Sequence, residues 1–413
     1  MVLVFILIFI GVLPGLRTAK NDPAKVEVSL NWWTVGEDQA TLMPILGAFN
    51  AKYPNAKVAV KTFADFPSYD RALLDALAAG EGPDIFAIRN TDLPRMLNKI
   101  TPAPASLTLA QIRNIYPQIV EQDFVQQGKL YAAPYSIDTL GLFYNRDLLD
   151  QATVSVPKDW EEFLAVSQKI TRIENNKINL SGAAFGGSRE SISEASDILS
   201  ALMIQTGTTM VSPDFKSASF NSDQGLSALK FYTQFATPKN PNYSWNNSMG
   251  QALDAFTQEK AAMFVGYAKN LTEIKKRNQF LNFSVATLPQ IKNSTKAVNY
   301  GNYFGYAVSR QSRQPNFAWE LILGGAEVGI NQIYAQNSKR PPAVRGVVDY
   351  FNEDLELGPF AQQILIARSW PQKDAEAVQN LFSEAIRSVT AGSTKAEDAL
   401  REVQNKITEI MNK

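Results

Sequence analysis

Gly80-Glu-Gly-Pro-Asp-Ile-Phe-Ala-Ile88 closes one helix, turns the chain and opens a short apolar strand. Gly80 suits a helix C-cap, and Gly82-Pro83 is a turn signal. Upstream, Ser68 is placed to cap a helix carrying Leu73, Leu74 and Leu77 on one side. Before it, Lys57–Phe63 (KVAVKTF) reads as a strand. A helix from about Asp38 carries Leu42, Ile45, Leu46, Phe49 and Tyr53 at helical spacing and stops at Pro54. Val26, Val28 and Leu30 alternate with Glu27 and Ser29, a first strand. The order is β-α-β-α-β. Helical crossovers of this kind join parallel strands, so the chain is α/β and begins with an open parallel sheet.

Downstream the pattern changes. Gly128-Lys-Leu-Tyr-Ala-Ala-Pro-Tyr-Ser136 predicts a hairpin leading into a strand at Leu140–Tyr144. Asp159, with Glu162 three residues on, opens a helix. Residues 190–290 read as mostly helical, with short strands at Ala262–Val265 and Phe283–Ala286. A strand at Tyr303–Ser309 and a helix at Ala318–Ala335 follow. The tail, Glu376–Met411, holds two amphipathic helices divided by Ala391-Gly-Ser393. At 413 residues, 45% of them hydrophobic, the chain is expected to form more than one core.

Composition narrows the chemistry. Lys+Arg and Asp+Glu are 40 each, and no basic run with interleaved aromatics occurs, so a nucleic-acid partner is not expected. There is no Cys and no His. That removes disulfides, thiol nucleophiles, Ser-His-Asp triads and thiolate or imidazole metal sites. No cofactor and no metal are expected. Gly186-Gly-Ser-Arg189 is a loop and not a phosphate motif, because no Gly-Lys-Ser/Thr follows. Every side chain from Met1 to Leu16 is apolar. As a helix at about 1.5 Å per residue this run reaches roughly 24 Å, short of the roughly 30 Å hydrocarbon core. It has no basic flank before it and no small-x-small cleavage site after it. Residues 1–25 are therefore read as an uncleaved membrane anchor and polar linker, a start codon further upstream being one way to lengthen the segment.

Several segments, taken in order, resemble the sugar-type bacterial extracellular solute-binding proteins of ABC transporters, the group that includes maltose-binding protein. They are Asn31-Trp-Trp-Thr34; Leu77–Ile85; Gly128–Tyr135 with Leu142-Phe-Tyr-Asn-Arg-Asp-Leu148; Val156-Pro-Lys-Asp-Trp-Glu-Glu-Phe163; Ala255–Met263; Phe304-Gly-Tyr-Ala-Val-Ser309; and Ser338–Arg345. The chain departs from the family at Glu259, where relatives usually have Gly, and at Tyr267, where many carry Trp. Lipid attachment through Cys, frequent among relatives, is not expected, because these 413 residues contain no Cys.

The resemblance implies an α/β, two-lobed periplasmic-binding-protein fold with three interlobe crossings and a cleft between lobes. The lobes are expected at 26–137 plus 303–342 and at 138–302 plus 343–413. It implies capture of a small ligand, most of all a mono- or oligosaccharide, by lobe closure. The implied partners are ABC permease subunits and, through the apolar segment, the membrane; the chain is expected to be a monomer and not an enzyme. A sugar site needs aromatic platforms and hydrogen-bonding side chains. Trp32 and Trp33 follow strand one, Asp65, Phe66 and Tyr69 follow strand two, and Asn90 and Asp92 follow strand three. Tyr135 and Asp138 lie at the first expected crossing, Tyr300, Tyr303 and Phe304 at the second and Arg340 at the third; Tyr267 belongs to the second lobe. The ligand-binding candidates are thus Trp32, Trp33, Asp65, Tyr69, Asn90, Tyr135, Asp138, Tyr267, Tyr303 and Arg340. Each has a plainer role open to it: one tryptophan packing under its loop, Asp65 capping the next helix, Asp138 fixing hinge backbone, the tyrosines filling core. Trp160 is assigned to the core. The alternatives are a glycoside hydrolase using Asp65 and Asp138 as its carboxyl pair, a binder of a peptide or polyamine, and a surface adhesin.

Overall fold

The structure is a computed structural model and describes residues 23–412. The apolar run Met1–Leu16 lies outside the described residues. Among the described residues no helix is long and apolar enough to cross a membrane. The chain divides into two compact units. Unit 1 is the chain up to Ile137 with Tyr303–Ser338 and Pro342–Val347; unit 2 is Asp138–Asn302, Lys339–Pro341 and Val348–Lys413.

In chain order, unit 1 opens with β1 (Ser29–Val35), α1 (Gln39–Lys52), β2 (Lys57–Phe63), α2 (Phe66–Ala79), β3 (Ile85–Arg89) and β4 (Ile100–Thr101). Unit 2 carries β5 (Gly141–Asn145), α3 (Trp160–Ile170), α4 (Ala195–Gln205), β6 (Met263–Gly266), α5 (Lys269–Arg277), β7 (Phe283–Thr287) and β8 (Asn299–Asn302). Unit 1 resumes with β9 (Phe304–Ser309), α6 (Pro315–Gly324) and α7 (Val328–Ser338). Unit 2 ends with α8 (Ala375–Thr390) and α9 (Ala396–Asn412).

The unit 1 sheet has the order β2-β1-β3-β9-β4. β1 pairs in parallel with β2, Ser29 opposite Lys57 through Val35 opposite Phe63. β3 is parallel to β1, and β9 runs antiparallel to β3 with Phe304 opposite Arg89. The carboxyl ends of β1, β2 and β3 therefore share one edge with the amino end of β9. Caps fix the helices on this sheet. Asp38 Oδ1 accepts from Thr41 N at 2.8 Å and Asp65 Oδ1 from Ser68 N at 2.8 Å. The second cap corrects the sequence reading: Asp65, not Ser68, is the N-cap, and α2 starts one turn earlier. Gly80 closes α2 at φ 76° in the left-handed region that favours glycine.

The predicted helix Ala318–Ala335 is broken into α6 and α7. The break lets Gly325 press against the Tyr135 ring; a Cβ there would lie 2.3 Å from Tyr135 Cε1. Asn331 then satisfies the loop, its Nδ2 donating to the carbonyls of Tyr135 (2.9 Å) and Gly325 (3.2 Å). The third passage also differs from expectation. Ala343–Val347, read as part of the second lobe, belong to unit 1, because Ala343 N donates to Tyr135 O at 3.1 Å and Arg345 Nε to Tyr116 O at 2.7 Å.

Unit 2 has a three-stranded antiparallel sheet in the order β6-β5-β7. Phe143 on β5 stacks on Phe264 at 4.7 Å between centroids. The two residues that begin unit 2, Asp138 and Thr139, pair antiparallel with β8, placing Asp138 opposite Asn302. α8 packs on α9 and α4. Trp160 is buried, its Nε1 donating to Gln205 Oε1 at 2.6 Å.

Candidate functional site

In unit 1, β1 alternates its side chains between two faces. Leu30, Trp32 and Thr34 point into the core while Trp33 stays half-buried. Trp32 has no exposed surface and meets the rings of Tyr306 at 4.8 Å and Tyr135 at 6.2 Å. Trp33 lies beside Phe63 at 5.3 Å, with Lys61 Nζ 4.2 Å from its ring centroid. At the same sheet edge Phe66 meets Phe304 at 6.0 Å, and the Arg89 guanidinium sits 4.0 Å from the Phe66 centroid. Arg89 is anchored by Asp70 Oδ2 at 2.8 Å and Asp92 Oδ2 at 3.1 Å. Trp33, Phe63, Phe66 and Phe304 thus form a half-buried aromatic row along the strand ends.

The other unit 1 candidates, apart from Asp65, are buried. Tyr69 is buried and donates to Ala87 O at 2.8 Å. Asn90 and Tyr303 are buried together on Asp123: Asn90 Nδ2 donates to its Oδ2 at 3.1 Å and Tyr303 Oη to the same oxygen at 2.8 Å. Tyr135 is buried among Trp32, Tyr306 and Tyr334. Asp65 is exposed, and its bond from the Ser68 amide holds the carboxyl below its ordinary value. A buried carboxylate at the end of β1, Glu37, accepts from Tyr306 Oη at 2.5 Å and from Tyr334 Oη. A groove of about 710 Å³ lies elsewhere on unit 1, lined by Ile112, Tyr116, Glu121, Val125 and Arg345, and none of the ten candidates lines it.

In unit 2, Tyr267 follows β6 directly and is buried. Its Oη donates to Asp197 Oδ2 at 2.7 Å, and Asn302 Nδ2 donates to the same oxygen at 2.9 Å. Lys269 Nζ is 5.8 Å from the Tyr267 centroid and 3.5 Å from Glu194 Oε1. Asp138 Oδ1 accepts from Thr139 N at 3.0 Å and Ala268 N at 3.1 Å. Burial pushes its carboxyl up to about 7, against the Ala268 amide, Lys269, the Thr139 amide and Arg340. Burial likewise raises Asp197 and Glu194. Arg340, half-buried, belongs to unit 2 and contributes its charge toward Asp138.

Sequence reasoning brought Trp33, Phe66 and Phe304 to this edge and missed Phe63, Lys61 and Arg89. Their signal was available, since each lies at or next to the carboxyl end of a strand already identified. Asp197 in α4 and Glu194 just before it carried no such signal, being distant in sequence from Tyr267. Among the described residues no three acidic side chains are grouped to hold a metal ion.

Unit 1 is an open α/β sheet whose first three strands end along one edge, the place where sheets of this kind bind ligands. The family of bacterial extracellular solute-binding proteins matches residues 32–322, and the chain belongs to it. The galactooligosaccharide-binding protein of Bacillus subtilis (strain 168) is 22% identical over 66% of this chain and 62% of its own length, so the match spans a little under two thirds of that relative. The sugar-binding protein MalE of Xanthomonas citri superposes with a TM-score of 0.77 at 20% identity, covering 93% of this chain and 97% of that one. The GacH receptor of Streptomyces glaucescens, solved unliganded and with acarbose, gives 0.73 at 18% identity, covering 94% and 99%. At these identities the structural likeness establishes the fold.

Proposed function

We propose that this chain is the capture component of an ABC importer, binding a carbohydrate and releasing it unaltered to permease subunits. The half-buried aromatic row Trp33, Phe63, Phe66 and Phe304 carries this reading. Sugar rings present apolar faces that stack on such surfaces. The oligosaccharide and acarbose ligands named for relatives and structural neighbours support the same class. The hydrolase alternative gains nothing: Asp65 caps α2, and Asp138 is engaged by two backbone amides. A thermal-shift screen against mono- and oligosaccharides tests the reading. A ligand at about 100 times its dissociation constant adds roughly 2.7 kcal/mol to native stability. Silence across the panel, or steady release of product from a bound sugar, defeats it. The chain acts outside the cytoplasmic membrane, held there by Met1–Leu16. Mass spectrometry of the native N-terminus checks this, and a mature chain beginning between Arg17 and Asp22 means a freely diffusing protein instead.

A further inference from the structure

A buried carboxylate in an apolar helix is costly unless something binds it. Asp197 lies on the most buried stretch of α4, beside Ala195, Ile198, Leu199, Ala201, Leu202 and Met203. Its Oδ2 takes two hydrogen bonds from neutral donors on separate segments, Tyr267 Oη at 2.7 Å and Asn302 Nδ2 at 2.9 Å. Packing alone needs no charge at this place; an apolar side chain would serve. The two donors are the informative part. Tyr267 is the aromatic that follows β6. Asn302 is the last residue of unit 2 before the chain passes to Tyr303, and it pairs with Asp138, the first residue of unit 2.

We propose that Asp197 is a positioning residue for ligand capture, holding the Tyr267 ring in one orientation and tying it to the strand that carries the chain out of unit 2. This rests on the reading that Tyr267 contacts a sugar. The O–H of Tyr267 is committed to Asp197, so toward a ligand its oxygen only accepts. The tyrosine at this position and the acid on α4 form one device: a tryptophan here would have no hydroxyl to anchor and would give Asp197 a different task. Burial favours the protonated carboxyl while the Tyr267 and Asn302 bonds favour the ionised one.

The test is a double-mutant cycle with maltotriose as probe, read by titration calorimetry on the full chain. D197N keeps the size of the side chain but replaces the carboxylate oxygen that both donors share with a neutral, weaker amide acceptor. It should weaken binding tenfold or more in the wild-type background and less than twofold in the Y267F background. An equal loss in both backgrounds shows that Asp197 acts through general packing and overturns the proposal. If D197N does not fold, N302S takes its place, with a smaller loss that must also vanish in Y267F. If the wild type does not bind the probe, the ligand reading suffers and the positioning claim is judged without ligand. In protein labelled with 3-fluorotyrosine, the Tyr267 fluorine resonance, assigned by its absence in Y267F, should move in D197N or N302S. An unmoved resonance overturns the proposal.

Discussion

Adjacent tryptophans within β1 should give opposite phenotypes. Trp32 has no exposed surface and packs edge-on to Tyr306 at 4.8 Å. Trp32→Ala leaves a large cavity under the sheet, and buried aromatic-to-alanine changes cost about 3–5 kcal/mol. Affinity in the folded fraction should hardly move. Trp33 is half-buried and gives up less on truncation: its contact with Phe63 at 5.3 Å, about 0.5–1.5 kcal/mol, and the Lys61 ammonium at 4.2 Å, about 0.5–1 kcal/mol. Its larger effect should be on ligand. Losing a stacked ring costs on the order of 1–3 kcal/mol of binding, which at about 1.4 kcal/mol per decade is roughly a 5- to 150-fold rise in Kd. A control exploits Trp32 Nε1, which is buried without a hydrogen-bond partner. Trp32→Phe discards that donor with much of the ring kept, so it should cost far less than alanine. Urea denaturation gives the stabilities and titration calorimetry the affinities. If Trp33→Ala leaves Kd within twofold while Trp32→Ala weakens binding and spares stability, the two faces of β1 have been assigned the wrong way round.

Three further outcomes are expected. Glu37→Gln puts an NH2 group in place of one of the two carboxyl oxygens that accept from Tyr306 and Tyr334, and should lower stability by about 1–3 kcal/mol in urea; a variant as stable as the wild type contradicts the role given to this side chain. Gly325→Ala drives a methyl into the Tyr135 ring and should cost about 1–3 kcal/mol, with no change in melting temperature as the contrary result. Asp138, raised from 3.8 to about 7 by burial, keeps a proton in the folded chain where the unfolded chain has lost it. Stability should therefore fall as pH rises from about 4 to 7, by at most about 4 kcal/mol at roughly 1.4 kcal/mol per unit. Asp138→Asn should flatten that part of the pH–stability curve, and identical slopes in variant and wild type exclude Asp138 as its source.

Some of this protein was decided by local sequence. Period-two and helical spacing over Val26–Ile88 gave three strands and two helices, since alternation and the 3.6-residue turn are backbone properties that neighbouring side chains report directly, but β1 begins at Ser29 and runs to Val35, so both tryptophans lie within it and do not follow it as expected. Gly80 marked the end of α2 because its φ of 76° disfavours other residues. The parity that buries Leu30 also buries Trp32, so the choice between the tryptophans was legible in residues 28–34. The start of α2 was not, because Asp65 and Ser68 are both good caps and only the observed bond tells them apart. Tertiary structure alone decided the rest. At the break between α6 and α7, the absence of a side chain on Gly325 is required by the ring of Tyr135, almost two hundred residues away in sequence. Ala343–Val347 join unit 1 through bonds to the Tyr135 and Tyr116 carbonyls. Asp197 meets Tyr267 and Asn302 only after α4, β6 and β8 have packed, and no spacing along the chain announces it. Local periods fix which elements form and which face each one buries; contacts between residues far apart in sequence depend on strand order and helix packing, and these the chain acquires only on folding.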